Sequence, residues 1–383
     1  MISRREFLVR TGRFAAAIGG GSAAASCWRG VASAAVDPRL EEILSTAPRA
    51  RYWMPVDSGS RLVQCLLCAH TCRIPDGGRG RCRTRLNVGG ELRSLVYGRP
   101  LAVHVDPIEK KPFYHFLPGA AAFSLGTAGC PLRCKFCQNW QISQSLPEEN
   151  PPAFTPPEKV VAAAKARQAP VIAFTYNEPT VQTEFLTDVA RAARQDGIRS
   201  VIVSCGFMNE APLREMCGVL GAVKIDLKGF SPEFYRDVSQ AELAPVLRSI
   251  RQAARSGVHL EIVNLVVPTL NDSGRMLQGL ADWVAGEIGP DVPVHFTRFH
   301  PDYQLRNLPP TPVATLEKAR EIAMKKGIRY AYVGNVPGHP GNHTYCPGCG
   351  KVVVWRSGFF VTAMSLEKGR CKSCRRPVAG VWA

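Results

Sequence analysis

Three cysteines stand close together in the segment GCPLRCKFCQNW, which runs from Gly129 to Trp140. Cys130, Cys134 and Cys137 are separated by three and then two residues, on a loop that begins with glycine and contains proline. Thiolates this close in sequence can converge on one inorganic core, and a cubane iron–sulfur cluster normally takes four, one for each iron. Three ligands leave one iron open, as a catalytic zinc keeps an open position. The spacing therefore predicts a cluster that does chemistry.

A zinc knuckle, or a disulfide with one spare thiol, is the alternative for these cysteines. Zinc would require a fourth ligand. The nearest histidines, His104 and His115, lie upstream in a different segment. We therefore prefer the cluster with an open iron.

Length and composition predict one large α/β domain with small attachments, because 383 residues are more than a single small domain needs. The formal net charge of +17 would suit a non-catalytic, metal-rich nucleic-acid-binding protein, which is the alternative function class. However, the short basic stretches Arg79–Arg85 and Arg370–Arg376 lie inside cysteine clusters. Cations there would offset thiolate charge, so nucleic acid is not the partner that we expect.

Two further cysteine clusters flank the central one, and repeated C-x-x-C pairs in an enzyme-sized chain favour metals over disulfides. The N-terminal cluster predicts a closed four-ligand site for zinc or an auxiliary iron–sulfur cluster. The C-terminal cluster has the spacing of a zinc ribbon, whose metal is usually structural. The two sets are Cys65, Cys68, Cys72 and Cys82, and Cys346, Cys349, Cys371 and Cys374.

The N-terminus resembles a twin-arginine export signal, with Arg4 and Arg5 before a Gly/Ala-rich apolar run and a small-residue cleavage site at Ala32–Ala34. This predicts a periplasmic or membrane-associated protein, with a cytoplasmic location as the alternative. Cys27 raises the further possibility of a lipoprotein, although Ala24 stands where a leucine is usual. The run is too short to be a stable membrane anchor.

Short apolar runs alternate with amphipathic stretches from residue 121 onward, which predicts parallel βαβ units and a partial (β/α)6-type barrel. The predicted strands are Ala121–Gly126, Pro170–Thr175, Ser200–Ser204, Ala222–Leu227, Leu260–Val267, Val292–Thr297 and Arg329–Val333. The predicted helices are Glu158–Gln168, Val181–Gln195, Ala241–Ser256, Met276–Ile288 and Val313–Lys326. Upstream, the alternation over Gly89–Val105 predicts a β-hairpin. The predicted division is a signal segment at 1–34, a Cys-rich region at 35–117, the partial barrel at 118–340 and a ribbon-like module at 341–383.

Reactive residues of such barrels collect at the carboxyl ends of the strands. Polar candidates stand at successive predicted strand ends, so they are expected to lie near the three cysteines. They are Asn177 and Glu178, then Ser204 and Gly206, then Asp226 and Lys228, and finally His295.

From about Arg61 to Trp382, the chain resembles radical S-adenosylmethionine (SAM) enzymes. It resembles in particular the AmmeMemoRadiSam-system branch, which is related to pyruvate formate-lyase activating enzyme. The matching stretches are CLLCAHTCRI, DPIEKKPFYHFLPG, GCPLRCKFCQNWQISQ, FTYNEPT, VKIDLKGF, VVPTLND, PVHFTRFHPDY and YAYVGNVPG.

The resemblance implies that Cys130, Cys134 and Cys137 hold a [4Fe–4S] cluster whose open iron binds SAM. It also implies contacts of Asn177 and Glu178 with the methionine amine, and of Lys228, after Asp226, with the methionine carboxylate. Ser204 and Gly206 would line the ribose, and His295 would approach the adenine. The family's usual Ser-Asn-Gly reads Ser-Cys-Gly here, because Cys205 replaces the asparagine.

The implied activity is reductive cleavage of SAM to a 5′-deoxyadenosyl radical that abstracts hydrogen from an unidentified substrate. A low-potential electron donor is an implied partner. Activation of a glycyl-radical enzyme is the alternative activity, and Memo-like or AMMECR-like proteins are the partners that the narrower branch implies.

Overall fold

The N-terminal part of the computed structural model, which describes residues 37–57 and 59–383, contains one helix and two small antiparallel sheets. Helix α1 spans Pro38–Thr46. Strands β1 (Trp53–Pro55), β2 (Val63–Cys65) and β3 (Arg73–Ile74) form the first sheet, and β4 (Arg85–Val88) and β5 (Glu91–Ser94) form a hairpin. The predicted hairpin began at Gly89. In the structure Gly89 and Gly90, both at positive φ, instead form the turn, so the hairpin begins upstream of the predicted one.

A sheet of eight strands in the described part of the chain forms the centre of the fold. The strands are β6 (Ala102–Pro107), β7 (Ala121–Gly126), β8 (Val171–Phe174), β9 (Arg199–Ser204), β10 (Ala222–Asp226), β11 (His259–Val266), β12 (Val294–Arg298) and β13 (Ala331–Gly334). Their spatial order is the chain order, and β7 to β13 are parallel whereas β6 pairs antiparallel with β7. The predicted α/β class with a parallel sheet is confirmed.

Helices fill the connections between the parallel strands. They are α2 (Trp140–Ser143), α3 (Pro157–Ala166), α4 (Thr183–Gln195), α5 (Glu210–Val219), α6 (Pro232–Phe234), α7 (Leu243–Arg255), α8 (Gly274–Trp283) and α9 (Val313–Lys325). The sequence patterns had not predicted α5, which carries a proline in its first turn and a glycine in its last. Both residues weaken a helical pattern although Pro is tolerated at a helix start.

The pattern of apolar residues in each segment matches the faces that the segment buries. All four residues of β8 are buried, as expected for a parallel strand covered on both faces. In α4, Phe185, Val189 and Ala193 recur every four residues and are all buried, so one helix face packs on the sheet. The main apolar core lies along this sheet and its helices.

The C-terminal module consists of short antiparallel strands. They are β14 (Thr344–Tyr345), β15 (Val352–Ser357), β16 (Phe360–Met364), β17 (Leu366–Glu367) and β18 (Arg370–Cys371). The segment after β18 returns to the chain upstream of β7, where Val381 N donates to His115 O (2.7 Å) and Leu117 N to Val381 O (2.7 Å). Residues 38–383 form one compact unit.

The predicted export signal, with Arg4, Arg5, Cys27 and Ala32–Ala34, lies outside the described residues. Within the described ranges, none of the helices has the length and apolar character needed to cross a bilayer.

Candidate active site

The loop that carries the three cysteines leaves the sheet at the end of β7 and passes through a glycine in a left-handed conformation. Gly129 has φ +81°, and a Cβ at this position would lie 2.4 Å from both Cys82 O and Thr84 Cγ2. Only glycine allows the backbone to approach this closely. The glycine before Cys130 therefore brings the loop into contact with the N-terminal region.

Asn177, which follows β8, forms hydrogen bonds with the same loop. Its Nδ2 donates to Gly129 O (2.8 Å) and to Thr127 Oγ1 (3.1 Å), and its Oδ1 accepts from Thr127 N (3.1 Å). The side chain is buried. Its amide is thus engaged in positioning the residues just before Cys130, in addition to the predicted contact with a ligand.

A cavity of about 530 Å³ opens where Cys130, Cys134 and Cys137 meet the carboxyl ends of the parallel strands. This volume lies in the usual range of ligand pockets. The cavity is also lined by Lys110, Lys111, Thr175, Tyr176, Asn177, Glu178, Cys205, Lys224, Asp226, Lys228, Thr297, Asn335 and, from the C-terminal module, Phe359, among others. The structure therefore brings most of the predicted site residues together.

The three thiols fit an iron–sulfur cluster. All three are free, and all line the one cavity. Among the residues that the structure describes, the C-terminal cysteines form the group that could hold a single ion, and these three do not form such a group. An iron–sulfur cluster binds each thiolate through a different iron, so its ligands need not converge on one point. Burial raises the pKa of the Cys130 and Cys134 thiols, so metal binding would release protons.

Glu178 presents a firmly held carboxylate to the cavity. Its Oε1 accepts from Thr180 Oγ1 (2.6 Å) and Ser204 Oγ (2.7 Å), and its Oε2 accepts from Cys205 N (2.7 Å). These bonds fix the carboxylate while leaving acceptor capacity on Oε2. An anionic group held in this way suits a cationic amine.

Ser204 and Gly206 support Glu178 and are not among the residues that line this cavity. Ser204 Oγ accepts from Gly206 N (2.9 Å) while it donates to Glu178. Cys205 does line the cavity, and burial raises the pKa of its thiol well above the usual value. Cys205 contacts Glu178 through its backbone amide. This contact does not require the asparagine side chain that the family usually has at this position.

Asp226, at the end of β10, pairs with two lysines at the cavity. Its Oδ2 lies 3.1 Å from Lys228 Nζ and its Oδ1 lies 2.8 Å from Lys224 Nζ. Burial opposes ionisation, but the two lysines lower the pKa of Asp226 to about 2. Although burial opposes the charge of Lys228 too, the carboxylate raises the pKa of that lysine well above its usual range. Both partners are therefore charged at neutral pH.

A second aspartate with two lysines, which the sequence patterns had not predicted, contributes its lysines to the lining of the cavity. Asp106 pairs with Lys110 (2.8 Å) and with the buried Lys111 (2.6 Å), and it accepts from Tyr176 Oη (2.8 Å). The DPIEKKP stretch, with two adjacent lysines beside an aspartate, was the signal that could have found it. Four lysines thus line the cavity together with two carboxylates, those of Asp226 and Glu178, while Asp106, outside the lining residues, pairs with Lys110 and Lys111.

His295 does not reach this cavity. Strand β12 begins at Val294, so His295 stands at the amino end of its strand, away from the strand ends that form the site. Its Nε2 lies 2.6 Å from Glu261 Oε2, and its ring stacks on Tyr332. The predicted approach to adenine has no counterpart among the lining residues.

The four C-terminal cysteines do converge on one point. Their sulfur atoms all lie within 4.8 Å of one another, and Cys346 Sγ lies 3.4 Å from Cys374 Sγ. Cys349 Sγ lies 3.8 Å from Cys371 Sγ. This is the arrangement of a site for a single metal ion. The N-terminal cysteines are also free, with Cys65, Cys68 and Cys82 buried and Cys72 half-buried.

Comparison with known proteins finds a family model that covers the segment containing this site. Residues 124–280 match the model of the radical SAM superfamily. An uncharacterized protein of Methanocaldococcus jannaschii is 42% identical over 314 residues, which cover 82% of this chain and 93% of that protein. The pyruvate formate-lyase-activating enzyme of Clostridium pasteurianum is 22% identical over 52% of this chain and 87% of that protein.

Among solved structures, a radical SAM methyltransferase from Sphaerobacter thermophilus is similar to 83% of this chain and 86% of its own, with 14% identity and a TM-score of 0.46. The superfamily match spans β7 to α8 and so contains Cys130, Cys134, Cys137, Glu178 and Lys228. The chain belongs to the radical SAM superfamily, whose enzymes use radical chemistry.

Proposed function

We propose that the protein is a radical SAM enzyme with a [4Fe–4S] cluster on Cys130, Cys134 and Cys137. The observation that carries the proposal is that three free thiols, the anionic Glu178 and the cationic Lys228 line one cavity. The methionine part of SAM has an ammonium and a carboxylate. Groups of opposite charge at fixed positions can bind and orient it.

The chain's own residues would act by positioning. When bound, the cluster supplies the electron that cleaves SAM to methionine and a 5′-deoxyadenosyl radical, which takes a hydrogen atom from the substrate. Asn177 holds the loop before Cys130, Glu178 accepts from the amine and Lys228 binds the carboxylate. The hydrogen bonds around Glu178 keep it in place before the ligand arrives, which reduces the cost of binding. Ser204 and Gly206 act through Glu178.

The test is anaerobic reconstitution with iron and sulfide, followed by reduction and addition of SAM. The loaded wild-type protein should form 5′-deoxyadenosine. Cys134→Ala should lose the product and the iron of this site, whereas Cys217→Ala, which removes a cysteine outside the three clusters, should keep both. Absence of 5′-deoxyadenosine from the loaded and reduced wild-type protein would refute the proposal.

Activation of a glycyl-radical enzyme is the second candidate function. Several relatives carry names of activating enzymes, among them the Clostridium pasteurianum protein and the isethionate sulfite-lyase activating enzyme of Desulfovibrio desulfuricans. A protein substrate would follow from this candidate. Incubation with a glycyl-radical enzyme encoded beside the gene should then produce a glycyl radical detectable by electron paramagnetic resonance (EPR).

Membership of the AmmeMemoRadiSam branch is a separate proposal. It rests on the motif resemblance, and it predicts that the gene has Memo-like and AMMECR-like neighbours. Neighbouring genes of a glycyl-radical system instead would favour the activase.

Zinc is the metal that we propose for the four C-terminal cysteines. Four thiols that converge at the distances above match a closed tetrahedral zinc site. Elemental analysis should find about one zinc per chain, and Cys349→Ala should remove it. Retention of iron instead of zinc by these four cysteines would contradict the assignment.

A further inference from the structure

The N-terminal cysteines Cys65, Cys68, Cys72 and Cys82, called here the N-terminal quartet, differ in spacing from the C-terminal four. A tetrahedral zinc ion with Zn–S bonds of about 2.3 Å holds its sulfur atoms less than about 4 Å apart. The C-terminal cysteines approach that condition. Within the described residues, the C-terminal four form a group that could hold a single ion, and the N-terminal quartet does not form such a group.

The loop of Cys130, Cys134 and Cys137, for which we propose the catalytic cluster, likewise forms no single-ion group within the described residues. A cubane cluster binds each thiolate through a different iron, so its thiolates lie further apart than those around one ion. The N-terminal quartet therefore resembles the catalytic triple in lacking, within the described residues, the convergence on one point that marks the C-terminal four. His70 is not available as an alternative ligand through Nε2, which lies 3.0 Å from Pro131 O.

Polar groups around the quartet suit an inorganic core. Arg81 N donates to Cys72 Sγ (3.4 Å), and Cys82 Sγ lies 3.2 Å from Thr84 Oγ1. Hydrogen bonds to sulfur and nearby charge are what a protein uses to tune such a cluster.

The quartet lies directly against the catalytic loop. Arg133 donates from one nitrogen to Cys130 O (2.7 Å) and from the other to Arg81 O (2.6 Å), so a single guanidinium joins the two loops. The contact of Gly129 with Cys82 O and the approach of His70 to Pro131 add two further links. Cys68 forms a β-bridge with Met208, just after Cys205. No intervening domain separates the two sets of thiols in the described part of the chain.

We propose that the N-terminal quartet holds a second iron–sulfur cluster that passes electrons to the cluster on Cys130, Cys134 and Cys137. A low-potential one-electron carrier would reduce the second cluster by one electron. That electron would then move to the catalytic cluster, returning the second cluster to its oxidised form, with no atom transferred. The half-buried Cys72 marks the side from which the carrier delivers the electron. The relay rests on the proposed function, whereas the identity of the metal does not.

The metal is tested on the full chain in which Cys130, Cys134 and Cys137 are all replaced by alanine. After anaerobic reconstitution, this triple variant should still hold about four iron and four sulfide per chain, with the Mössbauer or EPR spectrum of a cubane cluster. Adding Cys68→Ala and Cys72→Ala should remove that iron but keep the zinc of the C-terminal site. A triple variant that binds no iron, or that binds a second zinc instead, would overturn the assignment.

The relay is tested with Cys72→Ser, which affects the quartet alone. Reduction of its remaining catalytic cluster by dithionite, followed by EPR, should proceed as in the wild type. Reduction by a reduced ferredoxin or flavodoxin should be at least about tenfold slower, because electron transfer would have lost its intermediate site. Equal rates with the protein donor would overturn the relay. Failure of the proposed function would instead appear as no 5′-deoxyadenosine with either reductant.

Discussion

Lys228 Nζ donates to Asp226 Oδ2 over 3.1 Å, and the same aspartate pairs with Lys224 on its other oxygen. Lys228 is thus held by one carboxylate, lines the cavity and has further N–H donors beyond the one that Asp226 accepts. A second carboxylate, that of methionine, can therefore bind to it without breaking the first pair. This relationship leads to two predictions.

Replacing Lys228 by glutamine should weaken the binding of SAM by about tenfold to a hundredfold, since a hydrogen bond to a charged group contributes about 1.5–3 kcal/mol. Isothermal titration calorimetry on the reconstituted protein measures this, with iron content as the check that the cluster is intact. Lys165→Gln, which alters an exposed lysine paired with Asp196, is the matched control and should bind normally. Unchanged affinity of the Lys228 variant would exclude it as the carboxylate partner.

Asp226 should make stability depend on pH in the acid range. Its pKa is lowered from 3.8 to about 2 in the folded protein, so its contribution is fully present above pH 3.8 and is lost as the pH falls through about 2. The contribution is on the order of 2 kcal/mol. Denaturant unfolding between pH 6 and pH 2 should show this loss in the wild type, and Asp226→Asn should lack it. Parallel pH profiles for the two proteins would contradict the assignment.

Alanine at position 129 should abolish loading of the catalytic cluster, because its Cβ would lie 2.4 Å from Cys82 O. Gly197→Ala is the matched control, since Gly197 has a similar φ of +71° and a Cβ added there would meet no atom within 4 Å. The control should lose only about 1–2 kcal/mol of stability, the cost of a left-handed alanine, and should keep its iron. Equal iron content in the two variants would show that the close approach to Cys82 is dispensable.

Arg356 should be essential for attachment of the C-terminal module. It is fully buried, donates to Tyr114 O (2.7 Å) and Thr344 Oγ1 (2.9 Å), and pairs with the buried Glu109 at 3.4 Å. Arg356→Met should destabilise the protein by about 3–5 kcal/mol, because Glu109 would lose its buried partner. Arg375→Met removes an exposed pair with Glu367 and should cost less than about 1 kcal/mol. Thermal unfolding of both variants decides the comparison.

Loss of the Asn177 side chain should increase the rate at which the catalytic cluster loses iron. Asn177→Ala removes the bonds to Thr127 and Gly129 that fix the loop before Cys130. Iron release to a chelator, followed by absorbance, should be faster in this variant than in the wild type at equal initial loading. Release at the wild-type rate would mean that the amide does not position the loop.

The parallel strands and the polar residues at their carboxyl ends were predictable from the sequence, because apolar runs and the polar residues that end them follow local rules. Prediction of the site would also have required the contacts between separate segments. Lys224 and Asp226 stand two residues apart on β10, so strand periodicity places them on the same face, yet the pairing of Asp106 with Lys111 depends on how β6 joins β7. His295 stands near the amino end of β12 and not near its carboxyl end as expected, because the strand begins at Val294, two residues after the predicted start; its contact with adenine stays a prediction.

The engagement of Asn177 with the backbone and of Ser204 with Glu178 could not be predicted, since side-chain direction depends on contacts between distant segments. The same is true of Phe359. It belongs to the C-terminal module, far from the cysteines in sequence, but it lines their cavity.

Phe359 is synthesised long after the three cysteines whose cavity it lines. A ribosome makes the three cysteines and all seven parallel strands before it makes the hairpin that supplies Phe359 and the segment in which Val381 pairs with His115. Such contacts between distant parts of a chain form late and slowly. The lining of the cavity is therefore complete only when the C-terminal module is in place, so some of the last residues to be synthesised finish a site whose cysteines begin at Cys130.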